Sequence, residues 1–149
     1  MKIAIGCDNL AIELKTKLIQ VCEDLGHDVE DFGAYSPDPV DYPDYGFPVA
    51  KAVADGGCDR GILVCGTGIG MAITANKVKG CYAAVCHDVY STERSILSNN
   101  ANILCMGALV IGPSTATTLL KLWLGLEFKE SPSINKINKI IAIEEQFNG

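Results

Sequence analysis

Cys65 opens the run Cys65-Gly66-Thr67-Gly68-Ile69-Gly70, directly after the apolar Ile62-Leu63-Val64. Apolar residues that meet alternating glycines and then a helical pattern describe a buried strand, a tight turn and a helix N-terminus. The glycines let backbone N–H groups come close to a ligand, and the helix end adds partial positive charge. A thiol beside such donors has the chemistry of a proton-transfer base facing an oxyanion hole. The run is also what an ordinary tight turn looks like. It lacks the G-x-G-x-x-G spacing and the Lys-Ser/Thr of a P-loop, so spacing alone leaves an anion or enolate site and a plain turn both open.

The rest of the composition narrows the setting. The chain has 149 residues, which suits a single domain spanning 1–149, and 48% of them are hydrophobic, enough for a full core. A net charge of −6 argues against nucleic acid or an anionic membrane as partner. No apolar run has the length of a membrane span, and Met1-Lys2 leads straight into a short apolar strand without a signal peptide. Seven cysteines, at 7, 22, 58, 65, 81, 86 and 105, form no C-x-x-C pair and sit mostly inside apolar runs. They read as buried free thiols in a reducing cytoplasm rather than as zinc ligands or disulfides, and Cys65 differs from the others only by position.

The elements that must position Cys65 follow from periodicity. Lys2 to Gly6 reads as a buried first strand, with Cys7-Asp8-Asn9 as the turn after it. Leu10, Leu14, Leu18, Val21, Cys22 and Leu25 recur at helical spacing, so a helix is expected over 10–25, stopped by Gly26. His27 to Phe32 alternates as a second strand. A loop rich in Pro, Asp and Tyr covers 33–44, which is long for an α/β connection and of a kind that often carries function. A helix follows over 45–56, a third strand over 61–65, and the helix after the glycine turn over 67–78. Then come a strand over 82–86, a helix over 88–98 and a fifth strand over 103–106, with Val110-Ile111 a short extension. A helix over 114–126 takes Ser114 as its N-cap, and a last helix over 134–147 carries a stripe of Ile134, Ile137, Ile140, Ile141 and Ile143. The alternation predicts an α/β fold, a doubly wound Rossmann-like sheet of five parallel strands with an extra C-terminal helix. The loops after strands 1, 3, 4 and 5 then share an edge, where Asp8, Asn9, Cys65 to Gly70, His87, Asp88 and the 98–102 stretch are expected to meet.

Five segments together resemble the family of ribose-5-phosphate isomerase B and the galactose-6-phosphate isomerase subunits. They are Met1 to Asp8 (MKIAIGCD), Asp41 to Tyr45 (DYPDY), Asp59 to Gly70 (DRGILVCGTGIG), Ala75 to Gly80 (ANKVKG) and Cys86 to Ser91 (CHDVYS), and the match runs over roughly residues 1–128. The resemblance implies aldose–ketose interconversion, in which a base moves a proton between C1 and C2 through a cis-enediolate, with no metal and no organic cofactor. It implies a small-molecule carbohydrate as partner and a homodimer, or a dimer of dimers, with active sites at the subunit interface. Carried over residue by residue, Cys65 matches the base. Thr67, Gly66, Gly68 and Gly70 match the turn that holds the enediolate. Asp8 and Tyr42 match residues that contact sugar hydroxyls, and Asn99 matches an asparagine offered from the partner subunit.

Four departures bear on the substrate. A histidine that helps bind the sugar or its phosphate in the family is Asn9 here. The histidine credited with opening the furanose ring is Ser98, which has no acid–base chemistry near neutral pH. An arginine in the fifth βα unit is Leu109. The segment Gly-Gly-Arg-His-x-x-Arg is replaced by Glu130-Ser131-Pro132-Ser133-Ile134-Asn135-Lys136, which leaves Lys136 either as a point-charge substitute at the phosphate or on the solvated face of its helix. Two readings stand. One is a cofactor-free isomerase acting on a small or open-chain sugar, or on a sugar phosphate held differently, with weak turnover of ribose 5-phosphate. The other is a non-catalytic sugar-binding protein or partner subunit of a hetero-oligomeric isomerase.

Overall fold

A computed structural model describes residues 1–148. The strands are β1 (Lys2–Cys7), β2 (Asp28–Asp31), β3 (Arg60–Cys65), β4 (Ala83–Val85) and β5 (Ile103–Gly107). The helices are α1 (Ile12–Asp24), α2 (Pro43–Ala54), α3 (Ile69–Asn76), α4 (Val89–Leu97), α5 (Pro113–Leu124) and α6 (Ile134–Asn148). The strands form one parallel sheet in the order β2-β1-β3-β5-β4. This is the Rossmann-like α/β architecture expected. The central strands β3 and β5 read as unbroken apolar runs because helices cover both faces of a parallel sheet. One face carries the cluster of Leu14, Leu18, Ile62, Leu104, Leu119 and Trp123; the other carries Val49, Val53, Leu63, Met71 and Ile103.

The chain steps from β1 outward to β2 and returns on the other side of β1 as β3. Between the C-terminal ends of β1 and β3 the connections therefore diverge, and a crevice opens there. Asp8 follows β1 and Cys65 ends β3, so topology alone puts both at that crevice.

Several element boundaries differ from expectation for identifiable reasons. The first helix begins at Ile12, because Asp8 Oδ1 accepts the Leu10 N–H at 3.0 Å and holds residues 8–10 as a turn. Leu10 is consequently 55% exposed instead of sitting on the apolar face of α1. The second helix begins at Pro43, whose missing N–H and fixed φ suit the first helical position. The same preference puts Pro113 at the start of α5 and makes Gly112, not Ser114, its N-cap. Val110-Ile111 is no strand extension: both N–H groups bond to the Gly107 carbonyl in a turn. On α6 only Ile137 of the isoleucine stripe is buried, while Ile140 and Ile143 are exposed. Polar contacts hold that helix instead. Glu144 accepts from Gly80 N–H at 3.0 Å and from the Tyr82 hydroxyl at 2.7 Å, and Lys79 pairs with Glu145. Asn76 is structural: its amide accepts from Ala83 N–H and donates to Ala83 C=O, adding a rung beside β4.

The largest correction concerns residues 98–102. They follow α4 and precede β5, and Asn102 C=O accepts the Gly61 N–H at the start of β3. They lie on the N-terminal edge of the sheet. The register runs from Gly61 opposite Ile103 to Cys65 opposite Gly107, so about 13 Å of strand separates that edge from Cys65.

A buried ion pair fixes where the 33–42 loop leaves the sheet. Lys15 on α1 is 2% exposed, and its ammonium donates to Asp31 Oδ1 and to Ala34 C=O, both at 2.7 Å. Its Nζ also lies 4.6 Å from the centre of the Tyr35 ring. Replacing Lys15 with Met takes one donor from each of two acceptors, the buried Ala34 carbonyl and Asp31 Oδ1, which keeps only the Gly33 N–H. The expected cost is about 2–3 kcal/mol, discounted because Asp31 keeps some access to water, read as a lower urea midpoint at unchanged slope.

Candidate active site

Cys65 lies at the floor of an open cleft of about 490 Å³ lined by Asp8, Leu10, Tyr42, Gly66, Thr67, Ile69, Gly70, Ile73 and Leu109. The thiol is 4% exposed, and Gly68 N–H donates to its sulfur at 3.1 Å. That donor faces the negative charge the sulfur takes on when it releases its proton. Burial pushes Cys7, Cys22 and Cys81 up to about 11 and raises Cys105 as well, so they stay protonated at neutral pH.

The turn after Cys65 is built for close approach. Gly68 has φ +81°, a left-handed conformation, and a Cβ there would meet the Met106 backbone at 2.9 Å. Across the same contact, a Cβ on Gly107 would lie 2.6 Å from Thr67 Cα. Main chain packs on main chain here with no space for a side chain from either strand. The turn's carbonyls point into this contact: Cys65 C=O accepts from Ala108 N–H at 2.8 Å and Gly66 C=O from Leu109 N–H at 3.0 Å. Thr67 Oγ1 takes the Ile69 N–H at 3.2 Å. The N–H groups of Gly66, Thr67 and Gly70 find no acceptor among the described residues, and all three residues line the cleft. Unspent donors at the N-terminus of α3 beside a thiol are groups that an oxyanion site requires.

Two side chains frame the opposite wall. The Tyr42 ring lies so close over Gly70 that a Cβ there would come within 2.5 Å of it, and Tyr42 is part of the cleft lining. Asp8 is 6% exposed; burial raises its carboxyl, while the Leu10 N–H bond opposes the shift.

The cleft thus gathers Asp8, Tyr42, Cys65, Gly66, Thr67 and Gly70, with Gly68 beneath them as the donor to sulfur. Asn9 stands outside its lining. Its Oδ1 accepts the Val40 N–H at 3.3 Å and pins the 33–42 loop. Ser98 and Asn99 are on the far edge of the sheet, where the Ser98 hydroxyl accepts from Arg94 at 3.2 Å. Lys136 is exposed on α6 and is not in the lining. Both arginines of the chain are engaged elsewhere: Arg60 donates to the Trp123 and Leu126 carbonyls, and Arg94 to Ser98 and Glu93.

Sequence reasoning missed the apolar part of the lining. Leu10, Ile69, Ile73 and Leu109 are 55–74% exposed around the mouth. The signal was available for Ile69 and Ile73, one turn apart on a different face of α3 from Met71, Ala72 and Ala75.

The pattern that defines the Ribose/Galactose Isomerase family matches residues 3–140. The chain is 49% identical over 146 residues to the Ribose-5-P isomerase B of Listeria innocua, covering 98% of this chain and 99% of that one. It is 49% identical over 148 residues to the D-erythrulose-4-phosphate isomerase 2 of Mycolicibacterium smegmatis, covering 97% of each. The solved Ribose-5-Phosphate Isomerase B of Clostridium thermocellum superposes with a TM-score of 0.96 at 43% identity, covering 99% of both chains. With full-length identity of this order and the same fold around the Cys65 turn, the chain belongs to the ribose/galactose isomerase family and is an isomerase of sugars.

Proposed function

We propose that this isomerase moves a proton between C1 and C2 of a short, open-chain sugar phosphate, with the Cys65 thiolate as base. The observation that carries the reading is the Gly68 N–H on the Cys65 sulfur beside three unspent amides. The thiolate takes the C2 proton of the aldose. The Gly66, Thr67 and Gly70 amides receive the charge that builds on the enediolate oxygens, the O2 hydroxyl proton passes to O1, and the thiol returns the carbon-bound proton to C1. Asp8 and Tyr42, on the opposite wall, hold the sugar hydroxyls.

The substrate length follows from the residue that is absent. At the position where the family resemblance implies a ring-opening histidine, this chain has Ser98, which does not titrate near neutral pH. A sugar of four carbons with phosphate on O4 has no free hydroxyl there to close a five-membered ring, so it needs no such step. A relative 49% identical to this chain is named for a four-carbon sugar phosphate. With Arg60 and Arg94 both engaged away from the cleft of their own protomer, the phosphate end meets no guanidinium of that protomer.

The assembly in this reading is a symmetric dimer. The exposed Leu10, Ile69, Ile73 and Leu109 ring the mouth and suit coverage by a second copy. Ser98 and Asn99 are too far along the sheet to serve their own Cys65, so the partner subunit's Asn99 completes the site.

Three outcomes check this reading. Cys65→Ala loses about 10²- to 10⁴-fold in solvent-deuterium exchange at C2 while circular dichroism is unchanged; full activity in that variant rules out the base. In steady-state kinetics, D-erythrulose 4-phosphate exceeds ribose 5-phosphate in kcat/KM by about tenfold or more, and the reverse order rules out the substrate. Mixing inactive Cys65→Ala with inactive Asn99→Asp protein after subunit exchange restores about a quarter of wild-type activity, since half the dimers are mixed and each carries one intact site. No recovery, with exchange confirmed by mass, rules out the shared site.

A further inference from the structure

β4 leaves β5 before β5 ends. Their register stops at Val85 opposite Cys105, and one further bond runs from Cys86 N–H to Cys105 C=O. Alternate residues of a strand turn their main-chain groups to the same neighbour, so Gly107 presents its N–H to the side that β4 has just vacated. A side chain fills the missing rung: Gly107 N–H donates to His87 Nε2 at 2.8 Å. The bond requires an unprotonated Nε2, which puts the ring proton on Nδ1.

Gly107 is the residue on which the catalytic turn rests. It pairs with Cys65 in the β3–β5 register and touches Thr67 and Gly66 main chain to main chain. The next two residues hold the Cys65 and Gly66 carbonyls. A displacement of Gly107 therefore moves the very amides that the Cys65 turn offers to the cleft, while His87 itself is outside the cleft lining.

We propose that His87 is a positioning residue for the isomerase reaction: its neutral imidazole fixes Gly107, and through Gly107 the Gly66–Gly68 turn, so protonation of His87 switches the turn off. The proposal rests on the reading of the Cys65 turn as the oxyanion site. In imidazolium both nitrogens are donors, so Nε2–H faces the Gly107 N–H and the rung is lost. Burial holds His87 below its ordinary 6.5, with Asp88 pulling more weakly the other way. Asp88 caps α4, and its carboxylate is engaged by the Ser91 N–H at 2.7 Å. Further along α4, Glu93 and Arg94 pair with each other. β4, β5 and α3 contain no charged residue, and Arg60 is at the opposite end of β3; the strand-end titratable neighbours are the thiols of Cys65, Cys86 and Cys105. Because the folded value is lowered, the imidazole's contribution is complete above 6.5 and is lost as pH falls from there through the folded value.

The test is the pH profile of kcat for the full chain and two variants, with the Gly107 amide followed by ¹⁵N NMR. The unaltered protein is expected to show an acid limb with its midpoint below 6.5, and the Gly107 amide resonance shifts with that same midpoint. His87→Ala lowers kcat about tenfold on the neutral side of that midpoint and less on the acid side, where the unaltered protein has already lost the rung, with KM changed less. His87→Asn supplies an acceptor that does not titrate; it recovers kcat relative to His87→Ala, and the acid limb disappears. An acid limb that persists in His87→Asn overturns the proposal, as does a kcat unchanged in His87→Ala. If either variant fails to fold, the unaltered protein decides alone: a Gly107 amide that does not move between about pH 5 and pH 7 overturns it. Cys65→Ala separates the two readings. Activity retained there removes the Cys65 mechanism, whereas an inactive Cys65→Ala with wild-type profiles in both His87 variants removes only the role given to His87.

Discussion

Everything near the cleft depends on one contact, the main chain of Gly66–Gly68 lying on the main chain of Met106–Gly107. Atoms on the two sides approach to a distance that no Cβ survives, and that closeness lets Ala108 and Leu109 take the carbonyls of Cys65 and Gly66. With the carbonyls turned inward, the N–H groups of Gly66, Thr67 and Gly70 are left without an acceptor among the described residues. A looser junction would let the peptide planes rotate, and the Gly68 N–H would no longer be held on the Cys65 sulfur. The parallel sheet supplies the rigidity: β3 and β5 are buried on both faces, so the junction cannot slide without disturbing both halves of the core.

Around that fixed point the remaining walls are held by separate devices. Lys15 anchors the start of the 33–42 loop through Asp31 and Ala34, Asn9 holds its middle through Val40, and Tyr42 closes its end against Gly70. Asp8 is shaped by its own turn through Leu10. These walls are loops braced by side chains, whereas the floor is main chain braced by a sheet.

Much of this was legible in the sequence, and what was not has a physical reason. Apolar runs ending in Gly or Cys marked the strands, because parallel strands covered on both sides leave no polar face. Cys65 and its glycines were found because close approach of backbone demands glycine. Leu10 was misplaced because a single leucine at helical spacing cannot reveal that Asp8 has already claimed its N–H for a turn. Ser114 yielded to Gly112 because Pro113 fixes the first helical position whatever follows it. The 98–102 stretch was assigned to the wrong edge, although alternation of strands and helices already requires a helix-to-strand loop to lie opposite a strand-to-helix loop. The bond from Gly107 to His87 was beyond reach, since it depends on where β4 parts from β5, and three residues of strand carry no such signal.

A division between main chain and side chain has a consequence for how such a protein can change. The amides beside Cys65 belong to the peptide backbone, so no exchange of side chain short of proline deletes them. The groups that would grip the far end of a substrate are side chains, and each can be exchanged in one mutational event without touching the floor of the cleft. Selection on diet or metabolite supply can therefore rewrite which sugar is taken while the proton transfer stays in place. A family built this way is expected to diversify by substrate far more readily than by reaction.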